Sequence, residues 1–183
     1  MSKRTFLIEF LKNWRGTGSI IPSSRFLTRK MLEAVDFDSA QLIVEFGPGT
    51  GPFTKALLNR LGPQAKLWVV EMNPKFCKAL EKIQDQRLRI IHDSADQIKK
   101  YLDGKKADYI LSGLPLAVFK KELNEQILHA VLASLKESGK FIQFQYSRAS
   151  HRLLKSFFPQ VKIKFTPLNT PPAFVYVCSQ GAD

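Results

Sequence analysis

The sequence predicts an α/β fold in which a mostly parallel β-sheet is covered by helices on both faces. Five apolar segments, each short enough to be a buried strand, are separated by stretches with helical periodicity. Strands that alternate with helices pair in parallel, and their crossovers cover both faces of the sheet. The loop over 166–172 is too short for a helical crossover, so the last two apolar segments are predicted to form an antiparallel hairpin. The predicted strands are residues 42–46, 67–71, 88–91, 108–112, 140–146, 161–165 and 173–178, six parallel and one antiparallel.

Helical patterns fill the connections between the first five strands. Proline suits the first turn of a helix, and it opens the predicted helices at Pro52 and Pro74. A short helix is predicted over 95–102 and a long one over 121–135, where apolar residues recur at every fourth position. Gly139 is expected to mark the end of that helical region.

Two amphipathic helices are predicted ahead of the first strand. The first, over 2–15, has large apolar side chains on one face and basic residues around them, as in helices that lie in a membrane interface. Packing of this face on the protein core is the alternative. A second helix is predicted after Pro22, with Ser23 or Ser24 as its N-cap. The side chains expected to contact a membrane are Phe6, Phe10, Leu11 and Trp14.

Length and composition predict one domain without a membrane span. The 183 residues suit a single domain, with N-terminal helices over 1–36 and a ligand-binding core over 37–183. No apolar run reaches the roughly 20 residues that a spanning helix needs. The N-terminal apolar stretch is interrupted at Glu9, unlike a signal peptide. The two cysteines have no metal-ligand spacing, and we expect a cytoplasmic protein without a bound metal.

The net charge of +12 is concentrated in the flanks of the chain. Residues 1–30 contain seven Lys and Arg against one acidic residue, and residues 146–183 contain five against one, whereas the middle is nearly neutral. Basic flanks attract phosphate groups, either in a nucleic acid or on an anionic membrane surface. A general solubilising excess of charge is the alternative interpretation.

A glycine-rich turn over 47–51 follows the first predicted strand, with Glu45 before it and Pro52 after it. Glycine lets the backbone turn tightly and approach a ligand without a Cβ in the way. Ligands of open α/β sheets bind at the carboxyl ends of the strands. Glu71 ends the second strand, where an acid can accept both hydroxyls of a ribose. We therefore predict a nucleoside-containing ligand bound by Glu45, Gly47, Pro48, Gly49, Thr50, Gly51, Glu71 and Met72.

Glu45 and Pro52 argue against a dinucleotide as this ligand. A pyrophosphate binds to open amides at a helix N-terminus, but Glu45 would repel it and Pro52 lacks an amide hydrogen. The carboxylate of Glu45 instead suits a cationic ligand, such as the amino or sulfonium end of S-adenosylmethionine.

The ends of the third and fourth strands extend the same predicted site. Asp93 is expected to accept a hydrogen bond from an adenine amino group, while the Ser94 amide reaches a ring nitrogen. Either residue can instead cap the following helix, and both roles can coexist. Ser112, Gly113 and Leu114 follow, where an amine that accepts a methyl group would meet the donor.

The fifth strand ends at Tyr146, which we expect to orient the accepting amine and to favour the methylated cation through its ring. His151 is a candidate to relay the amine proton. Arg148, Arg152 and Arg25 can bind a phosphate in a bidentate fashion. An ordinary strand-end tyrosine, a surface histidine and solvated arginines are the alternatives.

These motifs resemble those of the class I S-adenosylmethionine-dependent methyltransferases. The resemblance rests on the Glu-x-Gly-x-Gly-x-Gly pattern over 45–51, on Glu71 and Asp93, and on the motif after the fourth strand. It implies a Rossmann-like sheet of seven strands in the order 3-2-1-4-5-7-6, with strand 7 antiparallel. It also implies S-adenosylmethionine as the methyl donor and S-adenosylhomocysteine as the product.

Three segments, over 18–25, 44–51 and 112–115, resemble more narrowly the bacterial phospholipid N-methyltransferases. This resemblance implies methylation of phosphatidylethanolamine and its mono- and dimethyl forms toward phosphatidylcholine. It also implies a peripheral enzyme on the inner face of the membrane, with no nucleic acid as a partner. Many members continue the fourth motif with Leu-x-Phe-Pro, whereas this chain has residues 116–120 of different sequence. The side chains expected to bind the substrate are Ser23, Ser24, Arg25, Phe119, Arg148 and Arg152.

Two other hypotheses stay open. The ribosomal RNA adenine dimethylases resemble the chain too, but they usually carry an aromatic residue directly after the proline, where this chain has Leu116. A methyltransferase-like membrane-binding protein without catalysis is the other hypothesis. The intact residues Glu45, Gly47, Gly49, Gly51 and Glu71 argue against that loss.

Overall fold

The computed structural model describes residues 25–181. The predictions for residues 1–24 lie outside the described residues: the helix over 2–15, its membrane-facing side chains Phe6, Phe10, Leu11 and Trp14, and the capping residues Ser23 and Ser24.

Seven strands of the described chain form one sheet, as predicted. They are β1 (Leu42–Phe46), β2 (Lys66–Val70), β3 (Leu88–Ile91), β4 (Ala107–Ser112), β5 (Leu135–Gln145), β6 (Gln160–Thr166) and β7 (Ala173–Ser179). Their order across the sheet is β3-β2-β1-β4-β5-β7-β6, and β7 runs antiparallel to both of its neighbours. The remaining pairs are parallel. The order and the single antiparallel strand confirm the predicted Rossmann-like fold.

Helices cover both faces of this sheet. They are α1 (Arg25–Leu32), α2 (Pro52–Leu58), α3 (Pro74–Leu80), α4 (Ile98–Leu102), α5 (Lys121–Ser134) and α6 (His151–Phe157), with a 3₁₀ turn over Ala95–Gln97 ahead of α4. Buried side chains of α1, α2 and α3 pack on one face, and those of α4, α5 and α6 pack on the other. Strand β1 is buried along its whole length because side chains on both of its faces enter these two cores.

The prediction that Gly139 ends a helix is wrong. Helix α5 ends at Ser134, and Leu135 is already extended, with φ −83° and ψ 147°. Strand β5 begins there because Leu135 pairs with Ala107 at the start of β4. Gly139 lies inside β5, where the register between the two strands shifts. A Cβ at this position would lie 2.9 Å from a backbone oxygen of Lys136, so the irregular stretch of the strand requires glycine.

Helix α6 was not predicted from the sequence. It has only seven residues, and its apolar side chains pack beneath the last strands of the sheet. Leu154 and Phe158 are buried, and the rings of Phe158 and Phe141 stack at 5.7 Å between centroids. The spacing of four residues between these two apolar side chains is the sequence signal for the helix.

Candidate functional site

A cleft opens at the carboxyl edge of the sheet, where strands β1 to β4 end. Its volume is about 460 Å³, including space open to solvent. Eight of its lining residues were predicted to bind the cofactor or the substrate: Gly47, Glu71, Met72, Asp93, Ser94, Gly113, Leu114 and Phe119. Four lining residues were missed. Val70, Ala95 and Pro115 are next to predicted positions in the sequence, and Ile127 lies in α5.

The turn after β1, of which Gly47 lines the floor of the cleft, has a backbone conformation that requires glycine. Gly47, Gly49 and Gly51 have φ angles of 68°, 61° and 85°, in the left-handed region that side chains disfavour. The amide of Gly47 donates to the carbonyl of Val70 at 3.0 Å, which ties the turn to the end of β2. A Cβ on Gly47 would lie 2.9 Å from Leu114 Cδ2, so the two walls of the cleft touch here.

Glu71 joins the turn after β1 to the loop after β2. Its carboxylate is 2% exposed and accepts hydrogen bonds from the amides of Gly49, at 3.0 Å, and Asn73, at 2.9 Å. Each carboxylate oxygen has a second lone pair that can accept a ligand hydroxyl. Glu71 thus orders the backbone of both loops, and its contact with a ribose stays a prediction.

Asp93 and Ser94 lie at the far side of the cleft, after β3. Oδ1 of Asp93 accepts from the Ser94 amide at 2.8 Å, and Oδ2 accepts from the hydroxyl of Tyr101 at 2.7 Å. Ser94 is extended and precedes the 3₁₀ turn, and its hydroxyl donates to Asp96. Ser94 occupies the N-cap position of this turn without a side-chain capping hydrogen bond, and both Asp93 and Ser94 line the cleft.

Glu45 lies beneath the turn and does not line the cleft. The side chain is 2% exposed, and its Oε2 accepts from the Thr54 hydroxyl at 2.7 Å. Its Oε1 has no hydrogen-bond partner among the residues that the structure describes. Burial raises the pKa of Glu45 to about 8, with a smaller contribution from the charge of Glu71. The predicted contact of Glu45 with a cationic ligand stays a prediction.

Five other predicted cofactor-binding residues also lie outside the lining of the cleft. Four belong to the turn itself, in which the Gly51 amide donates to the Pro48 carbonyl at 3.0 Å. The hydroxyl of Ser112 accepts from the Leu114 amide at 3.2 Å and so shapes the loop after β4. The residues concerned are Pro48, Gly49, Thr50, Gly51 and Ser112.

The predicted acceptor-side residues lie beyond the end of β5. The ring of Tyr146 meets that of Phe144 edge to face, with centroids 5.7 Å apart. Burial raises the pKa of the Tyr146 phenol, and a hydrogen bond with Asn169 opposes that rise. His151 begins α6, and its ring lies 6.2 Å from the ring of Tyr176. Neither Tyr146 nor His151 lines the cleft.

The three predicted phosphate-binding arginines are exposed. Arg148 and Arg152 lie on either side of the start of α6, and the guanidinium of Arg25 lies over the ring of Phe26 at 5.1 Å. None of them lines the cleft, so their role stays a prediction.

The residues of the cleft fit S-adenosylmethionine. The left-handed glycine turn leaves the floor of the cleft without a Cβ, and a buried acid and a half-buried acid, Glu71 and Asp93, face it from β2 and β3. This arrangement supplies acceptors for ribose hydroxyls and an adenine amino group, with negative charge near a sulfonium cation. Within residues 25–181, no cluster of three or more His, Cys, Asp or Glu could hold a metal ion.

Comparison with known proteins identifies relatives of this chain. A family model described as Ribosomal RNA adenine dimethylase matches residues 13–134. The ornithine lipid N-methyltransferase of Singulisphaera acidiphila is 33% identical over 179 residues, which cover 94% of this chain and 93% of that protein.

Solved methyltransferase structures share the fold. Precorrin-6y C5,15-methyltransferase from Geobacter metallireducens superposes with a TM-score of 0.71 at 13% identity, covering 89% of this chain and 92% of the other. Human methyltransferase-like protein 13 in complex with SAH gives a TM-score of 0.65 at 16% identity, covering 85% and 81%. At these identities, the similarity to both structures concerns the fold alone.

Proposed function

The chain belongs to the ribosomal RNA adenine dimethylase family and is an S-adenosylmethionine-dependent methyltransferase, and from this premise we propose that it methylates the amine of a lipid headgroup. The proposed substrates are phosphatidylethanolamine and its mono- and dimethyl forms, which the reaction converts toward phosphatidylcholine. The full-length relationship to an ornithine lipid N-methyltransferase supports an amino lipid as the acceptor.

The observation that carries this proposal is the position of the exposed apolar side chains. Of the five large hydrophobic residues exposed in the described part of the chain, four lie in or beside the loops at the carboxyl edge, where the cleft opens. Val118 follows β4, Tyr146 follows β5, and Phe165 and Leu168 lie at the end of β6 and in the loop after it. The register places Gln145, Phe174 and Phe165 in one row, which brings the β6–β7 loop beside the end of β5.

Basic residues surround these apolar side chains. Lys120 and Lys121 follow Val118, and Arg148 and Arg152 follow Tyr146; all four are exposed. Apolar and aromatic side chains among basic residues suit the interface of an anionic bilayer. Each basic residue near such a surface contributes on the order of 1 kcal/mol. The loops at the carboxyl edge therefore have the composition expected of a surface that receives a lipid headgroup.

The chemistry requires a neutral amine next to the donor. Bound S-adenosylmethionine supplies an electrophilic methyl group on its sulfonium, and a secondary, tertiary or quaternary nitrogen results after transfer. An alkyl ammonium resembles lysine, so deprotonation at pH 7 costs about 4–5 kcal/mol. The loop over 113–119 forms the wall where the amine would be positioned, and positioning supplies most of the expected rate gain.

Tyr146 and His151 are the proposed catalytic residues. The raised pKa of Tyr146 keeps its phenol neutral, so the hydroxyl can orient an amine. His151 is half-buried at the start of α6 and can pass the amine proton to solvent. Arg25, Arg148 and Arg152 are proposed to bind the anionic group of the headgroup, and Phe119 to contact the headgroup inside the cleft.

The proposed enzyme is peripheral, on the cytoplasmic face of the membrane. Within the described residues, no helix is long and apolar enough to span a bilayer. Contact of Phe6, Phe10, Leu11 and Trp14 with the membrane stays a prediction, because these residues precede the described part of the chain.

An experiment is needed to distinguish phosphatidylethanolamine from two other acceptors. The description of the matching family favours an adenine of ribosomal RNA, and the most similar relative reported above acts, by its name, on ornithine lipid. Both lipid acceptors present an amine near an anionic group, so the cleft alone does not separate them. A methyltransferase-like protein without catalysis would bind the donor and label neither lipid nor RNA.

Labelled S-adenosylmethionine with separate acceptors tests the proposal. The acceptors are liposomes that contain phosphatidylethanolamine, its monomethyl or dimethyl form, or ornithine lipid, and unmodified ribosomal RNA. We expect label in phosphatidylethanolamine and its methylated forms, and a Glu71→Ala variant should label at least tenfold less. Label in ornithine lipid alone would replace the proposed headgroup, and label in RNA alone would overturn the lipid proposal.

The surface at the mouth of the cleft has its own test. Replacing Val118 and Leu168 together by Ser should lower sedimentation with anionic liposomes at least threefold and leave binding of S-adenosylmethionine unchanged. Gln126→Ser, on the exposed side of α5, is the control. Unchanged sedimentation of the double variant would remove this surface from membrane binding.

A further inference from the structure

The loop between β4 and α5, residues 113–120, has no regular secondary structure but forms one wall of the cleft. Leu114, Pro115 and Phe119 line the cleft. The backbone carbonyl of Leu114 accepts from the Leu116 amide at 2.9 Å. The amide of Gly113 donates to the carbonyl of Phe46 at 3.0 Å and joins the start of the loop to β1. The rest of the loop needs further contacts to keep a fixed position, because a local hydrogen bond such as that of Leu116 does not join it to the sheet.

Two buried glutamines of β5 supply those contacts. The Nε2 atoms of Gln143 and Gln145 both donate to the carbonyl of Leu114, at 3.0 and 2.9 Å. Residues two apart on a strand project to the same face, so both side chains reach one acceptor. Their side chains are 0% and 5% exposed. Gln143 also donates to the carbonyl of Phe144 at 2.7 Å.

A third buried amide holds the other half of the loop. Nδ2 of Asn124, in the first turn of α5, donates to the carbonyls of Leu116 at 2.9 Å and Phe119 at 3.5 Å. Three primary amides on two elements thus bind three carbonyls within six residues of loop. The backbone of the wall is joined to β5 on one side and to α5 on the other.

The buried amides cost stability that apolar side chains would not. Oε1 of Gln143 and Oδ1 of Asn124 have no hydrogen-bond partner among residues 25–181, because each amide turns its nitrogen toward the loop. A buried polar atom without a partner costs about 1–3 kcal/mol. Leu or Met would fill the same space without this cost, so packing alone does not account for these side chains.

We propose that Gln143, Gln145 and Asn124 are positioning residues that fix the wall of the cleft against which the acceptor amine is held. They do not touch the donor; they set the distance between the donor and the acceptor through the backbone of the loop. The inference rests on the proposed function only in the identity of the acceptor.

The test is a double substitution, Gln143→Met with Gln145→Met. Methionine has a similar length and volume without an amide, and Leu114 keeps its bond from the Leu116 amide. We expect kcat to fall at least tenfold, with donor affinity within twofold of the wild type by calorimetry. Each single variant should lose less than threefold, because the other glutamine still binds the same carbonyl. Gln126→Met is the matched control.

Hydrogen exchange of the loop provides a readout that needs no acceptor. In the double variant, amides within 113–120 should exchange at least tenfold faster than in the wild type, while amides of β1 and β2 should not change. Unchanged exchange in the loop would overturn the inference whether or not a lipid is methylated. Parallel loss of donor affinity and kcat would also overturn it, since that pattern indicates a general structural role. Failure of the lipid proposal would appear separately, as a wild-type enzyme that labels no lipid.

Discussion

The two edges of the sheet differ in how many of their buried or partly buried polar groups have hydrogen-bond partners. At the amino edge, the carboxylate of Asp108 accepts from the amides of Gln41 and Leu42, both at 2.9 Å, and from Lys136 at 2.5 Å. At the carboxyl edge, three buried amide or carboxyl oxygens have no partner within the described residues: Glu45 Oε1, Asn124 Oδ1 and Gln143 Oε1. Two buried hydroxyls also have no partner within the described residues, that of Ser150 near the carboxyl edge and that of Ser134 near the amino edge.

This contrast indicates which edge of the sheet contains more interactions that destabilise the folded state. Unpaired buried groups and left-handed backbone raise the free energy of the folded state, and both persist in proteins mainly at functional sites. Near the amino edge, the carboxylate of Asp108 is fully paired, and the hydroxyl of Ser134 is the unpaired buried group among the described residues. The carboxyl edge combines the glycine turn, the buried acids and the amide-bound loop around one cleft. Substitutions at the amino edge should therefore change stability, and those at the carboxyl edge should change donor binding or catalysis.

A matched pair of glycines gives the largest expected difference. Gly47 and Gly104 both have left-handed φ angles, 68° and 79°. Only at Gly47 would a Cβ meet another group, Leu114 Cδ2 at 2.9 Å; around Gly104 the space is open. We expect Gly47→Ala to lower donor affinity at least tenfold, measured by calorimetry, because the added Cβ and the strained backbone change the floor of the cleft where the donor would bind. Gly104→Ala should cost about 1–2 kcal/mol of stability from backbone strain and leave donor affinity within twofold. Equal donor affinities in the two variants would break the comparison.

The amino edge is tested at Asp108. Asp108→Ala leaves two backbone amides and a lysine without their acceptor, and we expect a loss of about 2 kcal/mol in the free energy of unfolding. Urea denaturation measures this loss. The control is Asp38→Ala, because Asp38 is an exposed acidic residue shortly before β1 in the sequence. Donor affinity should not change. A weakened donor affinity at native stability would show that the two edges are coupled.

Local signals in the sequence predicted most of the fold and the floor of the cleft. Apolar runs identified the strands, and the glycine turn with Glu71 and Asp93 identified the carboxyl edge, because each signal lies within a few residues of the structure it predicts. The long start of β5 was missed because its extended conformation depends on pairing with Ala107, far away in the chain. Tertiary pairing there overrides the local helical pattern.

The amide-bound loop could not be predicted for a related reason. Gln143 and Gln145 bind a carbonyl 29 and 31 residues away, so nothing near them in the sequence indicates the partner. Glu45 was placed at the ligand because an acid before a glycine turn suits a cation. Its side chain is instead turned toward Thr54, beneath the turn. Hydrogen-bond direction depends on packing that a pattern of residue types does not contain.

Glu45 tests the comparison through the pH dependence of stability. Burial raises the pKa of its carboxyl from an ordinary 4.5 to about 8, so the folded protein keeps a proton that the unfolded chain releases above about pH 4.5. The stability that this group contributes is complete below that pH and is lost as the pH rises through about 8.

We therefore expect the wild type to lose more than about 1 kcal/mol of unfolding free energy between pH 5 and pH 8 relative to Glu45→Gln. Glutamine keeps an oxygen that can accept from the Thr54 hydroxyl but has no proton to lose in this range. Urea denaturation at both pH values, in the same buffer series, measures the difference between the two slopes. If the unfolding free energies of the two proteins change equally with pH, Glu45 is ionised in the folded state. The carboxyl edge would then contain a buried charge and not a neutral acid.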